Sequence, residues 1–370
     1  MSYAGDDTGA VVGDIGSSAF RFGTAGTPIP DFSCPSVVGR AVTSSSSSST
    51  SSTSSSSTTQ QQPPRIGEVA LSTHYDTLQL HNPFVQGHLS KWSEVEDLWH
   101  HAFSKQALGL DSKETPVVFV APSDLDDRNS AQYIETMFET FQIPSGYMLR
   151  KGVASSFAAG KTTSLVIDSG PQGTLATSVC EGFVLRKSCT RTAMGGNMLD
   201  QQVLEYIESQ MPANLPVRPR FHFSKTRNSF GEYTSTTVPL EVHGSVLNYH
   251  RLAIARDLKE THCRVPHTAY NEVAAKSMPS AVYELPDGTK INVGTCRYLI
   301  PEMLMRTKVS EKFVFKRCNN KKCCNKDATT MQQQHNNNKS PGCIGDLTQQ
   351  LFLFFCIVFC KETFLGAMHS

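Results

Sequence analysis

The sequence has 370 residues, with 34 basic and 33 acidic side chains and a net charge of +1. That length holds one large two-lobed unit or two ordinary domains, and the balanced charge removes the electrostatic case for a nucleic-acid-binding protein. The opening MSYAGDDTGA is acidic and lacks an apolar run, so no secretory signal is predicted. Five of the 11 cysteines (Cys34, Cys180, Cys189, Cys263 and Cys296) are scattered through globular sequence and are expected to be reduced thiols.

In chain order, Val11 to about Arg40 reads as short strands. Thr43 to Thr59 is a Ser/Thr run, followed by three glutamines and two prolines. It has nothing to bury and is expected to be a disordered loop over 43–64. Globular sequence resumes at about Ile66. PVVFVAP, Pro116–Pro122, predicts a buried strand between prolines. Ala131–Phe141 places Tyr133, Ile134, Met137, Phe138 and Phe141 at helical spacing, with Asp126 or Asp127 upstream as a helix-start residue. SLVIDSG, Ser164–Gly170, predicts a strand, and LATSVCEGFVL, Leu175–Leu185, its hairpin partner. Gly196–Ile207 and Arg251–Glu260 read as helices. Strands alternating with helices predict an α/β fold. Residues 8–305 are expected to form the folded domain. Residues 306–370, rich in Lys, Asn, Gln and Cys, form a distinct tail.

Two turns carry chemistry. DIGSSAFRFGTAG, Asp14–Gly26, follows the apolar pair Val11 and Val12. Gly16 permits close backbone approach to a phosphate. The amides of Gly16, Ser17 and Ser18 can form an anion-binding nest. Asp14 suits a hydrated Mg²⁺ ion, and Arg21 can reach a phosphate oxygen. The same stretch is compatible with an ordinary Gly/Ser turn bearing a surface Asp. DSGPQGT, Asp168–Thr174, ends a second apolar strand and supplies Asp168, Ser169, Gly170 and Gly173; on its own it equally suits a hairpin turn. As a pair, two strand–Asp-x-Gly turns are what facing lobes need to clamp a triphosphate and its metal.

Other candidates fall away. Gly160-Lys161-Thr162 imitates the end of a phosphate-binding P-loop, but Ser155 stands where that motif needs glycine. The tail cysteines Cys318, Cys323, Cys324 and Cys343, with His335, lack the paired spacing of a zinc module. Leu351–Cys360 is shorter than the roughly 20 apolar residues that span a bilayer, so no membrane association is expected. His262 and Cys263 are adjacent and do not face each other on a helix.

Together these segments resemble the actin family. DIGSSAFRFGTAG, with DFSCPSVVGR (Asp31–Arg40) after it, is similar to the first phosphate loop of actins. IDSGPQGTLATSVCEGFVL is similar to the second loop and its hairpin. YELPDGTKINVG (Tyr283–Gly294) followed by PEMLM is a specific mark of that family, and it argues against a sugar kinase or chaperone of related fold. ARDLKETHCRV (Ala255–Val265) resembles the helix whose Lys-Glu pair flanks the nucleotide base, here Lys259 and Glu260. THCRVPHTAYNE, RPRFHFSK and the Ser-rich insertion lean toward the nuclear actin-related protein 4 class. The resemblance covers about residues 10–305 and is not visible in Arg306–Ser370. It implies an actin-like (ribonuclease H-like) bilobal α/β fold without the C-terminal part of its larger lobe. ATP and Mg²⁺ are implied in the cleft, with Asp14 and Asp168 holding the metal through water. The implied location is the nucleus. The implied partners are a helical segment of a chromatin-remodelling ATPase, nuclear actin, and other subunits of remodelling or histone acetyltransferase complexes, with no sequence-specific nucleic acid.

The chain departs from the family pattern at three places. Lys151 aligns with the glutamine that orients the attacking water, and Leu175 with an assisting histidine. Pro171 and Gln172 replace the Asp-Gly pair after DSG. No confident catalytic residue remains. The expectation is a structural subunit that binds ATP with little or no hydrolysis. The alternative is a filament-forming, cytoskeletal actin-like ATPase.

Overall fold

The computed structural model describes residues 9–41, 63–73, 75–212, 216–227, 233–266, 268 and 270–305. Most of the expected insertion over 43–64, and all of the tail 306–370 with its cysteines, lie outside the described residues. The chain divides into two compact units. The first draws on residues 1–198 and 218–252, the second on 199–217 and 253–370.

The first unit opens with β1 (Val11–Ile15), β2 (Ala19–Thr24), β3 (Phe32–Pro35) and β4 (Val38–Ala41). A short helix α1 (Glu68–Leu71) leads to β5 (Leu78–His81) and the small hairpin β6 (Phe84–Val85) and β7 (His88–Leu89). Then come α2 (Trp92–Phe103), β8 (Val117–Ala121), α3 (Asp127–Glu135), β9 (Gly146–Arg150) and α4 (Lys151–Ala158). Five strands form one sheet in the order β3-β2-β1-β8-β9. β1, β8 and β9 run parallel, with α3 as the crossover between the last two.

Alternation decides which side of this sheet is buried. In β1, Val11 and Ile15 are buried while Val12 and Asp14 are only partly covered. Val117, Phe119 and Ala121 of β8 repeat the pattern. α2 lays Val95, Leu98, Trp99 and Ala102 on the buried face. The Trp99 ring stacks on Phe119 at 4.0 Å.

α3 starts as its sequence predicts: the Asp126 carboxylate caps the helix by accepting the Asn129 amide at 3.0 Å. Its regular part ends at Glu135 and widens into a π-turn over Thr136–Thr140. Tyr133, Met137 and Phe141 point into the core, while Ile134 and Phe138 remain exposed.

A second sheet follows, from β10 (Ser164–Gly170), β11 (Gly173–Cys180), β12 (Phe183–Val184) and β13 (Thr190–Thr192), with β11 pairing all three others. β10 and β11 join through Pro171 and Gln172, and Asp168 stands directly across from Leu175. The unit also holds the hairpin β14 (Phe223–Arg227) and β15 (Tyr233–Thr237).

The second unit takes most of α5 (Gly196–Gln210) and the later half of α6 (Gly244–His262). α6 begins earlier than the predicted Arg251. α7 (Glu272–Ser277), the hairpin β16 (Val282–Glu284) and β17 (Lys290–Asn292), and α8 (Cys296–Glu302) complete it. The YELPDG segment is the turn of that hairpin. There the Leu285 amide donates to the Thr289 carbonyl at 2.8 Å, and the Asp287 carboxylate accepts the Thr289 amide at 2.9 Å. Tyr206 on α5 donates its hydroxyl to the Asn292 carbonyl at 2.8 Å.

Candidate functional site

The first turn is the tight connection from β1 to β2. Of the three amides expected to form a nest, that of Gly16 is already used, donating to the Ala19 carbonyl at 3.2 Å. The carbonyls are tied from outside. Ser36 donates its hydroxyl to Gly16 and its amide to Ser18, and Asn82 donates its side-chain amide to Ser17 at 3.0 Å. The loop is therefore held rigid before any ligand arrives. Asp14 and Arg21 are cross-strand neighbours, and the Arg21 guanidinium lies 3.7 Å from the Asp14 carboxylate. Arg21, expected on a phosphate, faces Asp14.

The second turn is held as firmly. Ser169 and Thr174 share a hydroxyl contact at 2.9 Å, and Thr174 donates to the Met194 carbonyl at 2.7 Å. Asn197 donates its amide to the Pro171 carbonyl at 2.8 Å. Gly170 ends β10, and Gly173 opens β11 with φ +146°. A Cβ on Gly173 would stand 2.4 Å from the Thr192 carbonyl oxygen, so only glycine fits. Gln172 is a clamp that the sequence did not reveal. Its side chain accepts the Gly87 amide at 2.7 Å and donates to the Phe84 carbonyl at 3.2 Å, fixing the β6–β7 hairpin to the turn.

Lys151 sits between these features. It is the first residue of α4, where the helix dipole is positive and a cation is disfavoured. Ser123 anchors the helix start by accepting the Gly152 amide at 2.8 Å. Gly152 permits this approach, since a Cβ would lie 2.9 Å from both the Ser123 hydroxyl and a Thr177 methyl. The Lys151 ammonium is 3.3 Å from the Asp168 carboxylate. Burial pulls its pKa down, but the charges of Asp14 and Asp168 outweigh this and hold it above the ordinary lysine value. Leu175, across from Asp168, is buried and offers no polar atom.

The pair expected to hold Mg²⁺ does not fit a divalent ion as it stands, because each carboxylate already faces a protein cation: Asp14 faces Arg21, and Asp168 faces Lys151. Among the described residues no cluster of three or more His, Cys, Asp or Glu side chains has metal-ligand placement.

A further ion pair lies close by. Arg191 on β13 grips Asp124 through two hydrogen bonds of 2.6 and 2.8 Å. Burial would raise the Asp124 carboxyl, but the guanidinium overrides it and holds the group below the usual carboxylate value. Asp124 lines a cavity of about 310 Å³ with Phe84, His88, Leu89, Asn129 and Tyr133.

Lys259 and Glu260 belong to the second unit. Lys259 is paired at 2.6 Å with Asp200, a carboxylate with 2% side-chain exposure that also takes Arg256 at 3.1 Å. Glu260 is exposed. The neighbouring Asp257 accepts the Tyr283 hydroxyl at 2.7 Å.

Comparison with known proteins agrees with the motifs. The actin family profile matches residues 5–342, extending past the last motif named above. Actin-related protein 4 of Oryza sativa subsp. japonica is 33% identical over 325 residues, covering 84% of this chain and 72% of that protein. Actin-related protein 4 of Arabidopsis thaliana is 33% identical over 321 residues, covering 83% and 72%. Actin-related protein 4 of Schizosaccharomyces pombe is 24% identical over 305 residues, covering 82% and 65%. With more than half its length matched and relatives above 30% identity, the chain belongs to the actin family.

Proposed function

We propose that this chain is an actin-related protein that takes ATP through its Asp14 and Asp168 turns and hydrolyses it slowly or not at all. We propose further that it acts in the nucleus as a structural subunit of chromatin-remodelling or histone acetyltransferase assemblies. Its partners there are a helical segment of the remodelling ATPase, nuclear actin and other subunits. Support for this role is the similarity to proteins named Actin-related protein 4, together with the THCRVPHTAYNE and RPRFHFSK segments.

The observation that carries the slow-turnover reading is the ion pair of Lys151 with Asp168. Hydrolysis needs a water held by an acceptor beside the terminal phosphate. An ammonium has three donors and no acceptor. Leu175, across the hairpin from Asp168, is apolar. Lys151 can therefore hold a phosphate but cannot accept a hydrogen bond from the attacking water. Such binding favours the ground state without lowering the barrier. Gly16, Ser17, Ser18, Arg21, Ser169, Gly170 and Gly173 are the residues proposed to hold the phosphates.

The test is single-turnover ATP hydrolysis by the full chain in Mg²⁺ buffer. The expected rate is far below that of filamentous actin, and Lys151→Gln should raise it by about tenfold. A wild-type rate equal to that of filamentous actin would refute the proposal.

A further inference from the structure

A carboxylate pair that holds a divalent ion contributes two negative charges to it. Here those two charges are already matched. Asp14 faces Arg21 across β1 and β2, Asp168 faces Lys151 at 3.3 Å, and the third nearby carboxylate, Asp124, is gripped by Arg191. Each of these three carboxylates thus faces a protein cation without a metal. A divalent ion at Asp168 must either stand beside the Lys151 ammonium, where two cations repel at short range, or take its place and leave the ammonium without its carboxylate contact. A polyphosphate meets the opposite situation. Its oxygens find an ammonium already in place, on a side chain held at the start of α4, where the helix end also favours anions.

We propose that Lys151 stands in for the divalent ion, so that the site takes the triphosphate of ATP as the metal-free anion, with the ammonium bridging phosphate oxygens and Asp168. This rests on the nucleotide-binding function proposed above and specifies its ligand. It also accounts for a cation at the first residue of a helix, where the dipole disfavours one. No bond is made or broken; the ammonium exchanges part of its contact with Asp168 for phosphate oxygens.

The test measures ATP affinity of the full chain by calorimetry, once with Mg²⁺ and once in EDTA. Wild type should bind in EDTA within about threefold of its affinity with Mg²⁺. Lys151→Gln should lose on the order of tenfold or more in EDTA and recover most of it when Mg²⁺ is added. Asp168→Asn should keep or gain affinity in EDTA, because it releases the ammonium to the phosphates. Wild-type binding that appears only with Mg²⁺ would overturn this inference while leaving the proposed function intact. Metal-free binding by Lys151→Gln as tight as wild type would do the same. Failure of ATP to bind the wild type under either condition would overturn the proposed function, and this inference with it.

Discussion

Asp124 and Arg191 show how much one pair of side chains carries. Both are mostly covered, with 17% and 21% of their side chains exposed, and their two hydrogen bonds join β13 to the segment after β8. Asp124→Asn keeps the shape and removes the charge, so it should cost about 1.5–3 kcal/mol at neutral pH. The sign of the pH dependence follows from the depressed carboxyl. Its stabilisation is present above the unfolded-state value, near 4, and is lost as pH falls through the lower folded value. Urea denaturation at pH 7 should separate the two proteins, and the gap should close below about pH 4. A gap that persists unchanged into strong acid would show that the Asp124 charge is not the source.

At the scale of elements, α2 packs Val95, Leu98, Trp99 and Ala102 into the core of the first unit. Trp99 is fully buried and stacks on Phe119, with Phe141 at 5.0 Å on another side. Trp99→Ala should destabilise the unit by about 3–5 kcal/mol, read from the denaturation midpoint. Trp92→Ala, on a half-covered ring of the same helix, should cost less. β1, β8, β10 and β11 were legible in the sequence because apolar residues bounded by Asp, Gly or Pro leave few alternatives. A helix start at Asp126 or Asp127 was legible from the local sequence, and the structure makes Asp126 the cap. The end of α3 was not. Five apolar residues at helical spacing split into a buried stripe, Tyr133, Met137 and Phe141, and an exposed one, Ile134 and Phe138, and the π-turn over Thr136–Thr140 was not foreseen. The start of α6 was missed by several residues because Ser245–Tyr249 carries no strong periodic pattern. The contacts of Gln172 with Gly87, 85 residues apart, and of Arg191 with Asp124, 67 apart, leave no periodic trace at all. Lys151 was located by the family pattern, but its ion pair with Asp168 required the folded backbone.

At the scale of the whole molecule, each unit has its own polar anchor. In the second, Asp200 is buried on α5 and holds both Arg256 and Lys259 of α6. Removing the carboxylate leaves two cations with reduced compensation, and Lys259 is only 17% exposed. Asp200→Ala should therefore cost about 3–5 kcal/mol, followed by far-UV circular dichroism during chemical denaturation. A loss below about 1 kcal/mol would mean that water compensates these cations and that the pair is not a structural anchor. The family match spans residues of both units.

The packing of α2 also decides what light can report. The chain has two tryptophans, Trp92 and Trp99, and both lie on that one helix of the first unit. Trp99 is sealed against Phe119, and Trp92 meets the Tyr133 ring edge-on at 4.7 Å. Emission excited at the red edge of the aromatic band is thus a one-sided optical probe. It registers solvent reaching α2 and carries no direct signal from 199–217 or 253–305, where the chromophores are tyrosines such as Tyr206 and Tyr283.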